Sequence, residues 1–98
     1  MRRRRFVVSY DIRDDRRLRR VHLVCREWGD PLQYSVFICD LTPVERVALL
    51  AALVDEINQA VDSIVLIDLG ATEGRGAECF QFLGNTPARL PTGGPRLI

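Results

Sequence analysis

Apolar and polar positions alternate along residues 6–11, Phe-Val-Val-Ser-Tyr-Asp, so that Phe6, Val8 and Tyr10 share one face and Val7, Ser9 and Asp11 the other. The run is β-branched and aromatic, has arginines before it and a turn after it, and predicts a strand. The period then lengthens. Leu18, Val21, Cys25 and Trp28 recur at three- and four-residue steps, the apolar stripe of a helix that Asp14 or Asp15 can cap and Gly29 stops. Arg13, Arg16, Arg17 and Arg20 fall roughly opposite, so the helix packs on one face and presents arginine on the other.

Gly29-Asp30-Pro31 is a turn, and residues 32–40 are strand-like throughout. Thr42-Pro43-Val44-Glu45 is a complete helix start, with Thr as N-cap, Pro in the first position and Glu placed to close a capping box. A second helix follows over about 44–60, and its Leu, Val and Ala content predicts burial. Residues 63–69 are almost continuously apolar, as in a covered or central strand. Residues 70–78 read as a loop with three glycines and 79–83 as a short fifth strand. The tail after it is rich in proline and glycine.

The order is β-α-β-α-β-β with short links, an α+β fold of one sheet and two helices. Should 32–40 hold a tight hairpin, it becomes β-α-β-β-α-β with an additional C-terminal strand, the ferredoxin-like arrangement. No Asn-Gly marks such a turn. Residues 1–84 make the domain, and 85–98 a tail that contacts a partner or stays disordered. Two helices cover only one sheet face; the other, carrying Val7, needs a cover that a homodimer supplies economically.

Composition adds the polarity of the molecule. The chain has 98 residues with a net charge of +1, but residues 1–28 hold ten arginines against four acids (+6), and residues 29–98 four arginines against nine acids (−5). All fourteen basic residues are arginine, whose forked guanidinium suits phosphate. Local i,i+4 pairing cannot absorb ten arginines with four acids, which points to a polyanion such as a nucleic-acid backbone. Arg2 to Arg5 suit a flexible arm. No apolar stretch approaches the roughly 20 residues of a membrane span, and Asp11 cuts the N-terminal apolar run short of a signal peptide. Three widely spaced cysteines, Cys25, Cys39 and Cys79, exclude a disulfide framework or zinc module and fit reduced thiols in a cytoplasmic protein.

Asp11 is the leading candidate for chemistry, because it ends the first strand just before the arginine helix. A carboxylate there can hold Mg2+, which takes oxygen ligands and activates water. One carboxylate is too few for firm binding, and two-fold symmetry would bring a second; the competing reading is an Asx-turn. Tyr10 or Phe37 could stack on a base, with Ser9 and Ser35 nearby, yet alternation makes them equally good core residues. His22 lies beside the apolar stripe and reads as packing or surface. Gly70-x-x-x-Gly74-x-Gly76 lacks the Lys-Ser/Thr of a phosphate loop.

Val8-Ser9-Tyr10-Asp11-Ile12, then the arginine helix, then Gln33-Tyr34-Ser35-Val36-Phe37 and the Leu41-Thr42-Pro43 helix start resemble the small CRISPR-associated endonuclease family, the lesser of the two universal spacer-acquisition proteins. The match runs from about residue 6 to residue 84. The resemblance implies a ferredoxin-like homodimer whose last strand, here about 79–83, extends the partner's sheet. It implies that Asp11 is the metal and catalytic residue, facing its copy across the dimer, with metal-dependent cleavage of single-stranded RNA or double-stranded DNA as in various members. It also implies a complex with the CRISPR integrase, in which Arg13, Arg16, Arg17 and Arg20 contact the nucleic-acid backbone. Ile38 departs from the family, falling where many relatives have glutamate. The function expected is a Mg2+-dependent endonuclease of spacer acquisition. The alternatives are a non-catalytic dimeric DNA-binding scaffold of the integrase complex and a toxin-like ribonuclease similar to virulence-associated protein D.

Overall fold

The structure is a computed structural model and describes residues 2–85. Strand β1 spans Arg4–Asp11 and begins two residues before the alternating run. Each added residue finds a carboxylate across the sheet: Arg4 Nε donates to Asp68 at 2.8 Å, and Arg5 meets Asp40 through Nε at 2.8 Å and Nη2 at 3.1 Å. Arg3 is tied as well, to Glu45 and to the Asp40 carbonyl. The flexible arm expected of Arg2 to Arg5 is therefore corrected for Arg3, Arg4 and Arg5, because tertiary partners bind what local sequence leaves unpaired.

Helix α1 (Asp15–Trp28) starts where expected, its N-cap Asp14 accepting from the Arg17 N–H at 3.0 Å. The strand-like stretch 32–40 holds the hairpin of the ferredoxin-like arrangement that the resemblance implies, with β2 (Asp30–Gln33) and β3 (Val36–Leu41). Its turn has no Asn-Gly; Ser35 itself takes the left-handed conformation, with φ 61°. Helix α2 (Pro43–Glu56) begins in the expected capping box between Thr42 and Glu45. It ends four residues short of the expected 60. There the Asn58 side chain accepts from the Ala60 N–H, and its carbonyl accepts from Val61 and Asp62, which closes a turn. Strand β4 (Ser63–Ala71) follows.

Two expectations for the C-terminal part are corrected. Residues expected as loop hold a one-turn helix, α3 (Arg75–Glu78), and residues 79–83 form no strand. A strand needs a neighbour's ladder of hydrogen bonds. This segment instead stacks Phe80 on Phe82 (centroids 5.8 Å apart) and sets Phe80 under the Arg5 guanidinium at 5.9 Å. The tail expected from residue 85 lies, beyond Asn85, outside the described residues.

The sheet is antiparallel with order β2-β3-β1-β4, and the connectivity is β-α-β-β-α-β. Phe6, Val8 and Tyr10 of β1 and Phe37, Cys39 and Leu41 of β3 face Val21 and Cys25 of α1 and Leu49 and Leu53 of α2. Burial pushes the Cys25 and Cys39 thiols up to about 12, so they pack as small apolar groups. On the open face, Val7 pairs with Ile38 and Ile67, and Ser9 with Val65. Val65 and Ile67 stay about half exposed, at 50 % and 48 %. Arg5 is buried on this face, where its Nη1 also donates to the Gly76 carbonyl at 2.9 Å and so seats α3.

Gly29 lets α1 pass directly into β2 because it lies against β3. Its backbone is extended, but a Cβ there would drive into the Ile38 carbonyl oxygen and the Cys39 sulfur. Gly29→Ala is therefore expected to cost about 1–3 kcal/mol through overpacking. Urea unfolding measures this, and an unchanged midpoint would show that β3 yields freely.

Candidate active site

Asp11 is the last residue of β1, opposite Ser63 at the start of β4. Its side chain is 72 % exposed, and its one cationic neighbour among the described residues is Arg13, Nη2 to Oδ2 at 3.9 Å, itself well exposed. At that separation in solvent the pair holds the carboxylate loosely. Asp11 thus presents nearly free oxygens at the end of an interior strand.

A second aspartate, which the sequence did not single out, fixes this end. Asp62 precedes β4 and its carboxylate is wholly buried. It accepts from Arg17 Nε at 2.7 Å and Nη2 at 3.2 Å, from the Arg13 backbone N–H at 2.9 Å and from the Asn58 N–H at 2.8 Å. The Arg17 guanidinium first, and the two backbone N–H donors with it, outweigh burial and hold the Asp62 carboxyl well below the usual carboxylate range. One carboxylate thereby joins the β1–α1 turn, the first turn of α1 and the α2–β4 loop. Its sequence signal was slight: an aspartate four residues after Asn58, immediately before an apolar run.

The arginines of α1 and of the turn before it divide by partner. Arg17 is engaged by Asp62, and Arg20 bridges to Glu56 of α2 at 3.0 Å. Arg13 makes only the long Asp11 contact. Arg16 is exposed and has no ion pair among the described residues. Tyr10 and Phe37 are corrected as base-stacking residues: Tyr10 is 6 % exposed and Phe37 fully buried, on the helix-facing side of the sheet. The Tyr10 hydroxyl bonds His22 Nδ1 at 2.9 Å, and the His22 ring stands edge-on to Phe37 at 5.3 Å, so His22 serves packing. Burial raises the Tyr10 pKa, reinforced by Cys25. Ile38 lies in the open-face packing beside Val7, four residues from Asp11 along β1 and so about 13 Å away at strand rise. An acid at that position would not reach Asp11 of the same chain.

Among the described residues no three His, Cys, Asp or Glu side chains come together as a metal-binding group. What this end of β1 offers is the exposed, loosely paired carboxylate of Asp11. That fits a single hard-oxygen ligand of Mg2+, an ion that commonly keeps several waters, and leaves the remaining ligands to come from elsewhere.

Connectivity, sheet order and strand-end aspartate define a small α+β protein built around one antiparallel sheet with an acidic end beside an arginine-bearing helix. The family model described as CRISPR associated protein Cas2 matches residues 4–75, and the chain belongs to the Cas2 family. It is 40 % identical over 68 residues to a CRISPR-associated endoribonuclease Cas2 of Geobacter sulfurreducens, covering 69 % of this chain and 72 % of that one. It is also 40 % identical over 87 residues to a second such protein of Rhodospirillum rubrum, covering 84 % and 88 %. The crystal structure of Streptococcus pyogenes Cas2 superposes with a TM-score of 0.60 at 34 % identity, over 64 % of this chain and 82 % of that one.

With its folded pKa depressed, Asp62 contributes stability that is complete above its ordinary value near 3.8 and is lost as pH falls through the lower folded value. Asp62→Asn is expected to lower Tm at neutral pH and to flatten the loss of Tm below about pH 4. Thermal melts from pH 7 to pH 2 test this; parallel curves for parent and variant would contradict it.

Proposed function

We propose that the chain is a ferredoxin-like homodimer acting in CRISPR adaptation as a Mg2+-dependent endonuclease, alongside the integrase. The supporting observation is Asp11: an exposed carboxylate at a strand end, held in place by the Asp62 hydrogen bonds and flanked by Arg13 and Arg16. Relatives named endoribonucleases favour phosphodiester cleavage. The half-exposed Val65 and Ile67 favour a second copy against the open face, which would bring a second carboxylate.

In this reading Asp11 holds the ion, and Mg2+ when bound supplies a polarised water and offsets charge on the phosphate. Arg13 and Arg16 bind the nucleic-acid backbone and stabilise negative charge that grows on the phosphate oxygens. Arg17 and Arg20 act mainly by anchoring α1, through Asp62 and Glu56. A second reading, the non-catalytic duplex-binding scaffold, is favoured by the sparse ligand set: with no cluster of three metal-ligating side chains among the described residues, the chain still carries unpaired arginines.

Asp11→Ala is expected to reduce Mg2+-dependent cleavage of RNA or duplex DNA at least about hundredfold while preserving salt-sensitive binding. Undiminished cleavage removes Asp11 from the chemistry; a parent that binds duplex and never cleaves favours the scaffold. Arg13→Ala with Arg16→Ala is expected to shallow the plot of log affinity against log salt by about two phosphate contacts. An unchanged slope would exclude these two arginines from the backbone contact.

A further inference from the structure

A cleft of about 520 Å3 opens between α1 and the tip of the β2–β3 hairpin, a volume ordinary for small-molecule sites. It begins at Tyr10, one residue before Asp11, and the Tyr10 N–H donates to the Ser35 carbonyl at 3.1 Å, so hairpin and strand end are tied together. Leu18 and His22 give it an apolar and aromatic wall. At this cleft Tyr34 is 90 % exposed, more than any other large hydrophobic side chain among the described residues. No packing within the chain accounts for an aromatic ring in that position.

The polar groups of the cleft are of complementary kinds. Gln33 offers an amide donor and acceptor from the hairpin, and Asp15 a carboxylate from the first turn of α1. Arg19, one turn further on, makes no ion pair among the described residues. An aromatic lid, a hydrogen-bonding amide, an acceptor and a guanidinium around one cleft match a nucleotide: ring face, base edge and phosphate.

We infer that this cleft takes the base of an unpaired nucleotide, with Tyr34 stacking on the ring, Gln33 and Asp15 reading its edge and Arg19 holding the adjoining phosphate. Asp15, an acceptor only, favours bases that present an exocyclic amine, so cytosine is preferred over uracil. A paired base has its edge occupied and does not enter. The cleft thus adds base recognition to an unpaired strand, and this inference rests on the nucleic-acid reading above.

The test is fluorescence anisotropy with labelled single-stranded oligo(C), oligo(U) and a duplex, using the full chain. The parent is expected to bind oligo(C) more tightly than oligo(U). Tyr34→Ala should weaken both single strands about tenfold and change duplex affinity less than twofold. Asp15→Asn and Gln33→Ala should each reduce the preference for C over U. A parent that binds single strands with no loss in Tyr34→Ala, or an equal loss for single strands and duplex, overturns the cleft and leaves the backbone contacts standing. A parent that binds neither form overturns the nucleic-acid reading and the cleft together. Tyr34 is solvent-exposed, so its truncation leaves the fold intact, which a matching Tm checks.

Discussion

Everything at the acidic end of the sheet depends on one buried carboxylate. Asp62 would be costly to bury alone, and it is retained because four N–H groups point at it from three separate stretches of chain. Two of those donors are backbone groups, so the contact fixes the course of the chain as well as a side chain. The β1–α1 turn can then carry Asp11 and Arg13 into solvent without fraying. The exposed, reactive-looking group is positioned by a hidden one that performs no chemistry.

The same logic reorders the charges. A strongly basic first quarter and an acidic remainder look like a molecule that needs an external polyanion. Yet Arg3, Arg4, Arg5, Arg17 and Arg20 are met by Glu45, Asp68, Asp40, Asp62 and Glu56, all from the acidic remainder. Much of the split therefore closes on itself. The most buried of these arginines, Arg5, anchors the open face by gripping Asp40 and the carbonyl that seats α3. What stays available for a polyanion is a smaller set that includes Arg13 in the β1–α1 turn, loosely paired with Asp11, and Arg16 and Arg19 on the exposed side of α1.

The two faces of the sheet have different fates for a plain geometric reason. Two helices suffice for one face, and the core there is closed by Phe37, Val8, Leu49 and their neighbours. The other face is covered by α3 at its Arg5 end and over the β3 side, where Ile38 is buried and residues 79–83 lie near Leu32 and Gln33, which leaves Val65 and Ile67 on the β4 side half exposed. Residues 79–83, apolar enough to suggest a strand, lie against this chain without a ladder partner.

Local chemistry decided a good deal before any folding. The alternation in β1, the stripe of α1, the Asp14 cap and the Thr42–Glu45 capping box all rest on contacts between residues a few positions apart, and all are present as the sequence predicts. Asp11 at a strand end was legible for the same reason, and so were the motifs that mark the family. The hairpin was legible only through those family motifs and not in the local pattern, because its turn depends on Ser35 adopting a left-handed conformation that its residue type does not announce. Nor were the pairing of the arginines, the burial of Tyr10 and Phe37 or the role of Asp62. Each of these depends on partners far along the chain, such as His22 for Tyr10, Asp68 for Arg4 and Arg17 for Asp62. Sequence proximity reveals which groups can act; only the folded chain determines which of them are already engaged.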